Sequence, residues 1–207
     1  MASDILSVMV TKLREISRQA ARKEIGQTAE RILIEQGYEG ATVEAITTAV
    51  GISQRTFFRY FATKDEAILI GYEILGEGLM ERLRTAAVAE PWAALGEMFQ
   101  FAIERHIDSR QRKRILTVQA IIETHPSLAG AYLKRLDTIQ SELTVVLHER
   151  TPTLSWIQAR VLVGAAFACF QTATATDAKE DGTALEAVLP ETMRDLAHQL
   201  RTEYKQS

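Results

Sequence analysis

Gln54, Arg55, Thr56 and Arg59 fall in one short segment, interleaved with Phe57, Phe58, Tyr60 and Phe61. On a helix, Phe57, Tyr60 and Phe61 share one face at i, i+3, i+4 spacing. Arg55, Phe58 and Arg59 project from the opposite face, with Gln54 and Thr56 on its flanks. One face can anchor the helix and the other is rich in hydrogen-bonding groups. Arg and Gln are side chains that read base edges in a major groove, and Thr contacts either bases or phosphate. The chemistry these residue types suit is recognition of duplex DNA.

Such a face has to be held out by its neighbours. Residues 21–36 place Ala21, Ile25, Thr28, Ala29, Ile32 and Leu33 at helical spacing, and Gly37 gives a stop signal. Thr42 can cap a short helix over about 43–50 that ends at Gly51, where a positive φ costs little. Ser53 can cap the next helix, about 54–61. Thr63 can cap a longer one, with Asp65 and Glu66 in its first turn. Two short helices, a glycine turn and an exposed second helix are the parts of a helix-turn-helix. Val43, Ile46, Val50 and Ile52 supply apolar contacts for the first helix and the turn.

The stretch from Thr42 to Lys64 resembles the signature of the tetracycline-repressor (TetR) family. The resemblance runs through Thr42, Ile46, Gly51, Ser53, Thr56-Phe57-Phe58, Tyr60-Phe61 and Lys64, preceded by Gly37-Tyr38. Thr47 departs from the family, which commonly has Ala at the close contact between the two helices. The resemblance implies a DNA-facing set of Thr42, Ser53, Gln54, Arg55, Thr56, Phe58, Arg59, Tyr60 and Lys64. In it Gln54, Arg55 and Thr56 face base edges, Phe58 touches a thymine methyl or sugar, and Thr42, Tyr60 and Lys64 hold phosphates. Arg22 and Lys23 are further candidates for backbone phosphate.

The remainder of the chain reads as helix with short punctuation. Helices are expected over about 91–107, from the basic knot 110–114 to 124, over 126–149 and over 156–176. After a polar linker at 177–182, Pro190 is expected to kink or divide the last helical segment. The fold class is therefore all-α, about nine helices. A three-helix DNA-binding domain at 1–64, with 1–16 as a possible flexible extension, precedes a larger helical ligand-binding and dimerisation domain at 65–207.

A single helix-turn-helix reads only a few base pairs, so two half-sites and a two-fold dimer are expected. The resemblance places the homodimer interface on about 154–176 and 183–204. The first is rich in Gly164, Ala165, Ala166, Ala168 and Ala173; the second lines up Leu185, Leu189, Met193, Leu196 and Leu200. It also implies a cavity for a small hydrophobic or amphipathic effector. Candidate lining residues are Tyr72, Met80, Trp92, Phe99, His106, Gln119, Trp156, Phe167 and Phe170. The implied function is a regulator of transcription, a repressor released from double-stranded operator DNA by that effector. The alternative is a small-molecule sequestering protein with a vestigial DNA-binding unit.

Composition narrows the classes further. The net charge of −3 divides into +2 over residues 1–64 and −5 over 65–207, so the basic end is the end that would meet phosphates. The four histidines are spread, with no His-x-x-x-His or Cys-x-x-Cys pair, no glycine-rich phosphate loop and no nucleophile elbow. No catalytic residue, metal or cofactor is expected. The single cysteine, Cys169, sits in an apolar segment and reads as buried and inert. No apolar run approaches a membrane span and no signal peptide is evident, which fits a cytoplasmic protein with no membrane partner.

Overall fold

The computed structural model describes residues 2–104, 109–177 and 185–203. Among them are ten helices and no strand: α1 (Ala2–Gly40), α2 (Val43–Val50), α3 (Gln54–Phe58), α4 (Lys64–Ile68), α5 (Ile70–Thr85), α6 (Pro91–Glu104), α7 (Ser109–Thr124), α8 (Pro126–Arg150), α9 (Trp156–Asp177) and α10 (Leu185–Glu203). The fold is all-α, and no described helix is long and apolar enough to cross a membrane.

The difference from about nine helices has a local cause. The helix expected to run on from Thr63 is broken at Leu69, whose ψ of 10° leaves the helical region and separates α4 from α5. The second helix of the motif is also shorter than its apolar spacing suggests. α3 stops at Phe58, and Tyr60 N–H donates to the Phe57 carbonyl in a tighter closing turn. α10 runs through Pro190 undivided, with the ring exposed.

Packing divides the chain into two units. One comprises residues 1–74 and 117–134; the other comprises 75–116 and 135–207. Residues 65–74 and the corner where α7 meets α8 thus pack with residues 1–64.

In the first unit the apolar stripe of α1 is buried at Ile25, Ala29, Ile32 and Leu33. It meets Ile46 from α2, Phe57 from α3 and Phe61 from the turn after it, Ile68 and Ile70, and Val118, Ile122 and Leu128 from the α7–α8 corner. Gly26 lets α1 come close here. A Cβ at that position would lie 2.1 Å from Cγ2 of Ile70, so only hydrogen fits. Ahead of this core, residues 9–20 of α1 are helical with every side chain exposed.

In the second unit α6, α9 and α10 pack on one another. Phe99 stacks on Phe170 with ring centroids 4.7 Å apart and meets Phe167 edge-on at 5.0 Å. The Trp92 indole N–H donates to the Met193 carbonyl (3.1 Å), tying α6 to α10. The end of α5 is closed by Arg150, whose guanidinium donates to the carbonyls of Leu83, Arg84, Ala86 and Val88. Cys169 is buried, which pushes its thiol pKa up and holds it protonated.

Candidate nucleic-acid interface

The geometry of α2, α3 and α4 is set by three hydroxyl caps of one kind. Thr42 Oγ1 accepts from the Ala45 N–H at 3.0 Å, Ser53 Oγ from Thr56 at 3.1 Å, and Thr63 Oγ1 from Glu66 at 3.2 Å. Between α2 and α3, Gly51 takes φ 76°, ψ 34° and its N–H closes on the carbonyls of Thr47 and Thr48. A side chain is strained in that left-handed conformation, so the turn requires glycine. Thr47, the departure from the family pattern, is accommodated: it is buried, and its hydroxyl donates to the Glu44 carbonyl at 3.1 Å.

On this scaffold α3 presents two unlike faces. Phe57 and Phe61 are buried, with their rings 5.6 Å apart. Gln54, Arg55, Phe58 and Arg59 are exposed on the other side. Phe58, at 54% exposure, stands edge-on to Phe57. Much of the ring's apolar surface is left uncovered by this chain and is available to a partner. Arg59 leans over the Tyr60 ring, 5.2 Å from its centroid, with Nη2 3.3 Å from the Tyr60 hydroxyl. Among the described residues, Gln54 and Arg55 have no side-chain partner.

The capping hydroxyls keep capacity for phosphate. Thr42 Oγ1 accepts in its cap, so its own O–H remains a donor. Ser53 Oγ and Thr56 Oγ1 are 3.0 Å apart; one donates to the other, leaving one hydroxyl hydrogen for an outside acceptor. Lys64 Nζ sits 3.7 Å from the Tyr38 ring centroid and donates to the Tyr38 carbonyl at 2.8 Å. An ammonium has three donors, so two are left after that bond. Tyr60 is half-buried, its ring beside the core and its hydroxyl beside Arg59. The nine DNA-facing candidates are thus gathered on α2, α3, the turn after it and the start of α4.

Behind this surface lies a polar framework that local spacing does not reveal. Asp65 is 6% exposed, and its carboxylate accepts from the Tyr38 hydroxyl (2.9 Å) and the Ser127 hydroxyl (2.7 Å). The His125 ring lies 4.6 Å from that of Tyr38. Burial and the neighbouring Asp65 push the Tyr38 hydroxyl pKa up. Arg22 turns inward to Glu73 and the Tyr60 carbonyl.

The candidates for an effector cavity fall in both units. Tyr72 and Gln119 belong to the first unit, where the Tyr72 hydroxyl donates to Gln119 Oε1 at 3.4 Å and its ring meets Tyr132 at 4.9 Å. In the second unit Phe99 stacks on Phe170 and meets Phe167 edge-on, Met80 is half-buried, and Trp156 is exposed beside His148. Among the described candidates Trp92 alone lines an open groove of about 570 Å³ between α6 and α10, with Gly96, Gln100, Leu189, Pro190 and Met193. His106 lies outside the described residues. On the expected dimer helices, Leu185, Leu189 and Met193 are buried within the chain itself, whereas α9 exposes Trp156, Ile157 and Val161.

Comparison with known proteins bears on this surface directly. Residues 25–68 match the family model described as "Bacterial regulatory proteins, tetR family". The chain is 27% identical over 143 residues to the HTH-type transcriptional regulator TcmR of Streptomyces glaucescens, covering 67% of this chain and 63% of that protein. It is 29% identical over 77 residues to the HTH-type transcriptional regulator PksA of Bacillus subtilis (strain 168), covering 37% of this chain and 38% of that one. In both cases the match spans less than two-thirds of the relative's length.

Among solved structures, a transcriptional regulator from Rhodococcus sp. Rha1 superposes with a TM-score of 0.52 at 21% identity, covering 86% of this chain and 96% of that one. The fatty acid degradation regulator FadR from Bacillus halodurans gives 0.53 at 17%, covering 83% and 95%. At these identities the likeness is one of fold.

Proposed function

We propose that this chain, which belongs to the tetR family of bacterial regulatory proteins, is a dimeric repressor that binds a palindromic operator through α3 and leaves it when a small amphipathic molecule occupies the helical body. One observation carries the DNA reading. Gln54, Arg55, Phe58 and Arg59 stand exposed on one side of α3 while Phe57 and Phe61 are buried on the other. Gln54, Arg55 and Thr56 then read base edges, Phe58 meets a thymine methyl or sugar, and Thr42, Ser53, Arg59, Tyr60 and Lys64 hold the backbone.

Dimerisation is supported by the exposed apolar row on α9. Ile157 and Val161 are 72% and 63% exposed one turn apart, a patch that a second copy would cover. Release by an effector is a population shift. A ligand favouring a body conformation that misplaces the two recognition helices weakens operator binding by about 5–150-fold.

Selection from random duplex DNA at a fixed salt concentration tests the reading. Enrichment of a palindrome with half-sites about one helical turn apart is expected. Only weak, salt-sensitive binding without enrichment would overturn it. Operator affinity unchanged by Arg55→Ala and Arg59→Ala would point instead to sequestration of a small molecule.

A further inference from the structure

Arg22, near the start of the buried part of α1, contacts three residues on two separate segments. Nη1 donates to the carbonyl of Tyr60, in the turn that closes the recognition segment. Nη2 donates to both carboxylate oxygens of Glu73 on α5, at 3.0 and 2.9 Å. The guanidinium carbon lies 4.6 Å from the centroid of the Phe61 ring. We infer that Arg22 is a positioning residue that fixes the angle at which α3 is offered to DNA, and that Glu73 holds it in that role. The inference rests on the DNA-binding reading above.

A helix of five residues does not hold its own orientation. Its buried rings, Phe57 and Phe61, attach it to the core, but apolar burial is non-directional and leaves rotation about that attachment weakly fixed. A hydrogen bond to the Tyr60 carbonyl is directional and acts beside the Phe61 anchor, so it adds the orientation that apolar burial alone leaves loose. The guanidinium is a rigid plane with its donors in fixed directions, so ordering it on Glu73 orders the bond to Tyr60 as well. The side chains of Arg22 and Glu73 are 21% and 24% exposed, so the pair is partly withdrawn from water. A phosphate ligand would keep its charge unpaired and outward; Arg22 has both carboxylate oxygens of Glu73 on one nitrogen.

The two roles give opposite signs in one experiment. The operator selected as above is titrated with the full-length protein and with Arg22→Gln, Arg22→Lys, Glu73→Gln and the Arg22→Gln/Glu73→Gln double variant. Each titration is repeated over a salt series and on an unrelated duplex, and melting is recorded alongside.

As positioning residues, Arg22→Gln and Glu73→Gln each weaken operator binding about tenfold, and the double variant is no worse than the poorer single. Affinity for the unrelated duplex and the salt slope stay those of the unsubstituted protein. Arg22→Lys, which keeps a donor but not the fork, falls between. The ratio of specific to non-specific affinity is the decisive readout, because a loss of folded protein lowers both together.

A salt slope smaller by about one for Arg22→Gln, with Glu73→Gln binding all DNA more tightly, would make Arg22 a phosphate ligand and overturn the inference. Operator affinity unchanged in both variants would overturn it too. If Arg22→Gln does not fold, the sign for Glu73→Gln decides the matter, since removing a negative charge near DNA can weaken binding only through geometry. Absence of any selected sequence for the unsubstituted protein overturns the DNA reading itself, and this inference with it.

Discussion

Ser127 donates its hydroxyl to the carboxylate of Asp65 across 2.7 Å, although the two residues are 62 positions apart in sequence. Asp65 also accepts from Tyr38, so a carboxylate 6% exposed joins the end of α1, the start of α4 and the start of α8. Replacing Asp65 by Ala leaves two hydroxyls without their acceptor and is expected to cost about 2–3 kcal/mol. Ser127→Ala, which removes one bond at an exposed edge, is expected to cost about 1 kcal/mol. Urea unfolding of both singles and the double gives the coupling. Strict additivity would show that Ser127 and Asp65 do not support each other.

Phe57 and Phe58 are neighbours with opposite surroundings, the first fully buried and the second exposed. Phe57→Ala is expected to destabilise by about 3–5 kcal/mol, the range for a large ring removed from a core. Phe58→Ala should leave stability within about 0.5 kcal/mol while weakening operator binding. Thermal melts paired with operator titrations separate the two effects. A Phe58→Ala protein that melts normally and binds fully would remove Phe58 from the interface.

Arg150 satisfies four carbonyls at the end of α5 and the turn after it, from Leu83, Arg84, Ala86 and Val88. Arg150→Ala is expected to lower stability by about 2–4 kcal/mol, as these are bonds to a charged donor in a half-buried place. Lysine, a point charge without the fork, should recover less than half of that. Chemical denaturation of the two variants measures this. An unchanged midpoint would mean that water replaces the guanidinium without cost.

Burial pushes the Tyr72 hydroxyl pKa well above its ordinary value of 10.0, and Tyr132 shifts in the same direction. A group whose folded pKa is raised favours the native state while it is protonated in both states. Its contribution is therefore complete below pH 10 and declines as the unfolded chain begins to ionise above it. Stability should fall steeply above pH 10, and an ultraviolet titration should show these two phenols ionising only as the fold is lost. Tyr72→Phe should flatten the alkaline limb. Tyrosines that all titrate near pH 10 with the fold intact would contradict their burial.

The parts of the interface that sequence spacing reveals are those held by local bonds. Thr42, Ser53 and Thr63 each cap through an N–H three residues ahead, and Gly51 answers to its own φ, so all four are visible in a short window. The amphipathic division of α3 between Phe57 and Arg55 is visible for the same reason.

The polar framework is not local. Arg22 and Tyr60 are 38 positions apart and Tyr38 and Asp65 are 27 apart, so neither pairing is visible in a short window of sequence. Helical spacing also fails to separate core from cavity. Phe99, Phe167 and Phe170 fit either pattern, and only the folded second unit shows Phe99 packed between the other two, edge-on to Phe167 and stacked on Phe170. The break at Leu69 has no proline to announce it, Gly71 being the nearest punctuating residue, and Ile68, Leu69 and Ile70 are all buried there.

The core of the first unit is discontinuous in the gene. Ile25, Ile46, Phe57 and Phe61 close over Val118, Ile122 and Leu128, which are encoded after an excursion of some forty codons through the second unit. A cassette ending at residue 74 would therefore carry all of α2 and α3 and still lack one wall of its own interior, losing three buried aliphatic side chains at about 1.5–3 kcal/mol each. Recombination that transplants the first unit onto another body must carry the α7–α8 corner with it, or find a host whose corner presents the same apolar shape.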